Sequence, residues 1–196
     1  MLLLGVLQAQ AAGAGPVVAS DFDLLETQVL DATTAEVTFS SLSTYAADYQ
    51  HLQIRYAARS TRGTFATDSF FLKINATGFT YWHNLYGDGT SVTSQSGNDP
   101  NVPVIGSISA SGSPTDAFGV GVIDLLDAFE TTKNKTARNL SGQADPAAGG
   151  FTGSRVWLHS GFLNNTAAIN SLSLRAGNGN MVTGSRFSLF GIKAGS

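Results

Sequence analysis

No cysteine occurs among the 196 residues, which removes disulfides, thiolate chemistry and cysteine-ligated zinc or iron–sulfur centres together. Charge is scarce as well. Asp, Glu, Lys and Arg make up 13 % of the chain, about half the usual share. The 11 Lys and Arg against 14 Asp and Glu leave a net charge of −3, and the basic residues are scattered, which argues against a phosphate-tracking groove for nucleic acid. Long apolar runs are missing too. Met1-Leu2-Leu3-Leu4-Gly5-Val6-Leu7 is much too short to span a bilayer. No Lys or Arg precedes Arg55, so the positive start of a secretory signal is lacking.

Small hydroxyls and glycine are abundant instead, with 21 Ser, 19 Thr and 22 Gly. Apolar residues still reach 42 %, enough to bury the core of one sandwich or barrel domain. Few Lys and Glu beside many hydroxyl and β-branched residues describe an all-β protein. From Phe22 onward, short segments of period two alternate with clusters of Gly, Asn, Asp, Ser and Pro. Leu25, Thr27 and Val29 alternate with Glu26 and Gln28, and Val37 and Phe39 with Thr38 and Ser40. Leu52, Ile54, Tyr56 and Ala58 form the clearest inward row, with Gln53, Arg55 and Arg59 outward; Phe70, Leu72 and Ile74 repeat it against Phe71, Lys73 and Asn75. Further strands are expected at Trp82–Tyr86, Val102–Ile108, Phe118–Leu126, Thr136–Gly142, Val156–Phe162, Ile169–Arg175 and Arg186–Ile192. Helical turns are expected only at Ser43–Asp48 and Asn164–Ala168. About ten antiparallel strands in one unit indicate a two-sheet, jelly-roll-like β-sandwich over residues 22–196. Residues 1–21 read as an arm, whose Leu2, Leu3, Leu4, Val6 and Leu7 are sticky enough to dock into a neighbouring polypeptide.

Enzyme patterns are weak. There is no Gly-x-Ser-x-Gly nucleophile elbow and no phosphate-binding loop. His51, His83 and His159 each stand without a second ligand two or four residues away. Asp124, Asp127 and Glu130 match no calcium loop; Asp127 is expected to cap the turn Asp127–Thr132 and pair with Lys133 or Lys135. No metal, cofactor or reaction centre is expected. The best binding signal is aromatic and polar: Tyr81, Trp82, His83, Trp157, His159 and Asn164 are candidate glycan contacts, with a core position as the competing role for each tryptophan.

Several segments, taken in order, carry a resemblance. They are Tyr49-Gln50-His51-Leu52-Gln53-Ile54-Arg55, Leu72-Lys73-Ile74-Asn75, Tyr81-Trp82-His83-Asn84-Leu85-Tyr86-Gly87-Asp88-Gly89, Val122-Ile123-Asp124-Leu125-Leu126-Asp127, Thr132-Lys133-Asn134-Lys135-Thr136-Ala137-Arg138, Asn165-Thr166-Ala167-Ala168-Ile169 and Ser185-Arg186-Phe187-Ser188-Leu189-Phe190-Gly191-Ile192-Lys193. Together, over residues 22–193, they resemble a group of small structural proteins of tailed phages, labelled tail-fibre or virion proteins. Where that group has an Asn-Gly-Asp turn, this chain has Asn75-Ala76-Thr77-Gly78. The resemblance implies a β-sandwich displayed on a phage particle, on tail or head, and brings no catalytic residue. The expected partners are other phage structural proteins through the arm, further copies of the chain in a homotrimer, and a host surface glycan. The alternative is a secreted carbohydrate-binding module that stacks sugars on Trp82 or Trp157.

Overall fold

A computed structural model describes residues 21–143 and 154–194. The arm with Leu2, Leu3, Leu4, Val6 and Leu7 therefore lies outside the described residues. The described chain is all-β, with twelve strands: β1 Phe22–Val29, β2 Val37–Phe39, β3 His51–Ala58, β4 Thr67–Ile74, β5 Tyr81–Gly87, β6 Val92–Gly97, β7 Val104–Ser109, β8 Gly119–Leu125, β9 Lys135–Gln143, β10 Arg155–Leu163, β11 Leu172–Ala176 and β12 Arg186–Ile192. A single 3-10 turn, Leu42–Tyr45, answers the helical turn expected at Ser43–Asp48.

The strands form two antiparallel sheets. The larger runs β1-β12-β3-β8-β9-β10-β5-β6 and the smaller β2-β11-β4-β7. First and last strands pair in one sheet, and second and eleventh pair in the other. This nested wrapping is the jelly-roll feature expected from the strand count. The inward row is as expected: Leu52, Ile54, Tyr56, Phe70, Leu72 and Ile74 are all buried, while Arg55 is exposed and Gln53 and Lys73 are half-buried. They join Phe187, Leu189, Ile123, Leu174 and Ile108 in one apolar cluster between the sheets.

Five local expectations need correcting. Strand β6, Val-Thr-Ser-Gln-Ser-Gly, was not expected, because hydroxyls and glycine show no apolar period. A bulge at Leu24/Glu26 resets the alternation in β1, leaving Thr27 and Val29 exposed. Phe71 points away from the core yet is buried, because the Arg175 guanidinium on the neighbouring strand lies 4.6 Å from its ring centre. Arg59 follows the end of β3 and turns inward, donating to the carbonyl oxygens of Ser113 (2.8 Å), Ala117 (3.0 Å) and Pro114. No helical turn forms at Asn164–Ala168. The Asn75 side chain holds that loop extended, donating to Ala168 O and accepting from the Asn170 and Ser171 amides, and β11 starts three residues later than expected.

Two loops show how a chain with little charge pins its connections. Lys135 is buried at the start of β9, and its ammonium donates to the carbonyl oxygens of Glu130, Lys133 (3.2 Å), Thr166 (3.4 Å) and Asp127 (3.5 Å). A buried ammonium with this many acceptors ties two loops to one strand end. At the β4 end, the Ile74 and Thr77 backbones exchange two hydrogen bonds, with Asn75 (φ 50°) and Ala76 (φ 63°) both left-handed. This two-residue turn normally has glycine second.

Replacing Lys135 by Met leaves those carbonyls unpaired and is expected to cost about 3 kcal/mol. Ala76→Gly relieves the left-handed alanine and is expected to gain about 1 kcal/mol. Urea denaturation of both variants beside the parent chain checks the two signs.

Candidate functional site

The inner and outer faces of the large sheet exchange character part-way across. One inward row reads Leu189, Ile54, Ile123, then Asn139, His159, Asn84, Gln95, each residue paired directly with the next across β12, β3, β8, β9, β10, β5 and β6. The outward row beside it reads Thr27, Ser188, Arg55, then Val122, Leu140, Leu158, Leu85 and Ser94. Past β3 the outward row becomes aliphatic, and past β8 the inward row becomes polar. Leu140 is 58 % exposed while its neighbour Asn139 is fully buried. A strand slipped by one residue would exchange these sets.

The cause of the polar interior lies in the small sheet. Its edge strand β7 packs against β9 and β10, so β5 and β6 extend beyond it. A bulge pairs Phe70 with Gly106 and Phe71 with Val104, leaving Ile105 without a partner on β4. Asn139 Nδ2 from β9 donates to the Ile105 carbonyl at 2.7 Å and to the Tyr56 hydroxyl at 3.1 Å. Burial raises that phenol to about 12. Gly106 makes the approach possible, since a Cβ there would stand 2.6 Å from Asn139 Nδ2. Asn139 here completes the hydrogen bonding of an edge strand, which an aliphatic side chain cannot do.

The candidate glycan contacts are divided between two faces. Tyr81 and His83 are exposed on the outer face, and Asn164 is exposed just after β10. Trp157 and His159 are buried on the inner face, and Trp82 is half-buried there against the core. Trp157 stacks on His159 at 5.4 Å and on Tyr86 at 4.2 Å, with the Arg155 guanidinium 5.8 Å from its ring centre. The six residues therefore form no single outer platform. The sequence signal was their alternation within β5 and β10; Leu85, Leu140 and Leu158, which dominate the outer face, had read as ordinary strand residues.

The outer face carries two adjoining shallow depressions of about 410 Å³ and 390 Å³ that share Leu158, His159 and Ser160. Carboxylates near the second are engaged: Asp124 with Arg138 (2.9 Å) and Gln53 (2.8 Å), Asp127 with Lys133 (2.7 Å) and Gln50. The Lys133 hydrogen bond holds Asp127 below its usual carboxylate range. The backbone amides of Thr132 and of Thr90 and Ser91 do the same for Glu130 and Asp88. These three groups stay ionised, unsuited to general-acid work near neutrality. Among the described residues no three His, Asp or Glu side chains converge as a metal set.

His159 is the titratable group whose surroundings matter most. Burial lowers it from 6.5 to about 4, and neither ring nitrogen has a hydrogen-bond partner in the protein. The unfolded chain therefore binds the proton more readily. Stability is full above about pH 6.5 and falls as pH drops toward 4, by about 2–3 kcal/mol at about pH 4.5. Denaturation at both pH values is expected to show a smaller loss for His159→Gln than for the parent; an equal loss would refute the assignment.

No protein-family model matches the chain, and no curated protein matches it.

Proposed function

We propose that the chain is a non-enzymatic structural subunit displayed on a tailed-phage particle, on tail fibre or capsid surface. It associates with further copies of itself, three to an assembly, through the outer face of its eight-stranded sheet. The observation that carries this reading is the inverted half of that sheet, with Leu85, Leu140, Leu158, Val120 and Val156 all exposed. A contiguous aliphatic field of this kind is a cost to a lone soluble domain and a gain once covered. Its extent suits an interface. The aliphatic field covers four of the eight strands, which at about 4.8 Å apart and about 6–7 residues long span roughly 400 Å². The other four bring the whole face to roughly 800 Å², the share one partner contributes to a standard interface. The aliphatic rows on β8, β9, β10 and β5 contain no charge, and the neighbouring Asp124 and Arg138 neutralise each other, so turning that part of the face inward against two further copies buries no unpaired ion. The segment order that resembles phage structural proteins supports the particle setting, where the N-terminal arm would supply the anchor.

Light scattering of the purified full chain is expected to give the mass of three copies. Leu140→Lys combined with Leu158→Lys is expected to give a monomer with unchanged circular dichroism, because both side chains already face outward. A monomeric parent chain from micromolar to millimolar concentration overturns the self-association. Peptides of this chain in purified virions, found by mass spectrometry, test the particle setting; their absence overturns it.

A further inference from the structure

The two sheets end in four edge strands, β1 and β6 on the larger and β2 and β7 on the smaller. Three of these edges are closed within the chain. Strand β1 is bent by its bulge and carries Asp23 and Glu26. Its Gln28 Nε2 donates at 2.9 Å to the Thr38 carbonyl of β2, a strand of only 3 residues. At β7 the Ser109 carbonyl accepts from the Ser60 amide at 2.8 Å and the Ile105 carbonyl accepts from Asn139. Bulges, charges, shortness and local caps keep a sheet edge from pairing with another chain. Among the described strands β6 alone has none of them. Val92–Gly97 runs 6 residues without charge, proline or bulge, and Val92, Ser94 and Ser96 are exposed.

The register shows what this edge offers. Where the β5–β6 hairpin turns, the Asp88 amide donates to Ser91 O at 3.3 Å, and Gly87 opposite Val92 is the next pair. Hydrogen-bonded and non-hydrogen-bonded pairs alternate along an antiparallel ladder. Thr93, Gln95 and Gly97 therefore bond to Tyr86, Asn84 and Trp82, while Val92, Ser94 and Ser96 turn their N–H and C=O groups off the sheet. No described residue meets those groups. Because β5 and β6 extend beyond β7, the smaller sheet leaves the approach open.

A second copy of the chain fits this edge. Each copy offers one open edge, so copies meeting edge to edge place β6 on β6, a twofold contact that closes on itself. Setting the outward-bonding residues opposite one another fixes the register. Ser94 then faces Ser94 of the second copy, with Val92 facing its Ser96 on either side. Each of these pairs exchanges two hydrogen bonds, about six in all. The side chains concerned lie on the outer face, beside Leu85, the direct partner of Ser94. They bring no like charges together. A hydroxyl donates and accepts at one atom, so Ser94 is complementary to itself, and Val92, 76 % exposed, is covered.

We propose that β6 is a docking edge for a second copy of this chain, joining the eight-stranded sheets of two copies into one continuous antiparallel sheet. An edge about 20 Å long belongs with weak, transient contacts, and it gains strength where many copies are held together. It is a different surface from the proposed outer-face association and does not depend on it; where both form, the edge links one assembly to the next.

The test uses the ¹⁵N-labelled full chain carrying Leu140→Lys and Leu158→Lys, which removes the outer-face association and leaves the edge intact. Sedimentation equilibrium and amide proton shifts are followed from about 20 µM to about 2 mM. A dimer half-formed at about 1 mM is expected, with the amides of Val92, Ser94 and Ser96 moving more than those of Thr93 and Gln95, which already bond to β5. Ser94→Lys and Ser94→Asp, each added to that chain, are expected to stay monomeric, because each sets like charges directly opposite. An equal mixture of the two is expected to pair about tenfold more tightly than either alone, since only Ser94 facing Ser94 brings the new charges together. A chain that stays monomeric to about 2 mM overturns the proposal and leaves the edge to a foreign strand. Pairing that moves Val120 and Val156 instead of β6, or that the mixture does not restore, overturns it as well. The outer-face reading is judged on the parent chain at micromolar concentration, where this edge is unpaired, so the two fail separately.

Discussion

A four-stranded sheet packed on an eight-stranded one leaves the strands at one end of the larger layer without an opposite layer, and their inward side chains must meet something other than aliphatic core. Here they meet the edge of β7. Because the bulge at Phe70/Phe71 frees the Ile105 carbonyl, β9 supplies Asn139 to bind it, and the interior grows polar from there outward. Once those positions are polar, the period of two sends the leucines and valines of β8, β9, β10 and β5 to the outside. The aliphatic outer face on which the proposed association rests follows from that one mismatch of sheet width.

The rest of the sandwich is held in a manner suited to low charge. Buried cations are satisfied by backbone oxygens, Arg59 on the loop at 113–117 and Lys135 on the loops around 127–133 and 166. Each converts one long side chain into a clamp on chain with no regular ladder of its own, and neither needs a buried carboxylate. Asp68, buried in β4, binds the Asn178 amide and side chain and so ties the β11–β12 connection to the small sheet. Few free charges would have to be desolvated in the self-association proposed above.

Much of the fold was legible because alternation is local. In β3 and β4 the apolar residues at every second position could satisfy only one face, and the structure buries that face. Legibility ended where local rules stop. Strand β6 has no apolar residue after Val92, so its existence depends on pairing with β5. The bulge in β1 and the inward turn of Arg59 depend on what lies opposite them. Among candidate site residues, the aromatic character of Trp82 and Trp157 was visible, but that Tyr81 and His83 lie on the other side of the sheet became meaningful only once the sheet had an inside.

The amino-acid order by itself therefore determined an all-β, single-unit sandwich with a named core row, because period two, turn residues and a small share of charge are properties of neighbours in the chain. Tertiary structure alone decided which face of β9, β10 and β5 is interior. In those strands leucine alternates with asparagine, histidine or serine, so local pattern favours the leucines inside. In β9 the free edge of β7 reverses that preference, because an unpaired Ile105 carbonyl costs more than an exposed leucine, and the pairing register carries β10 and β5 with it.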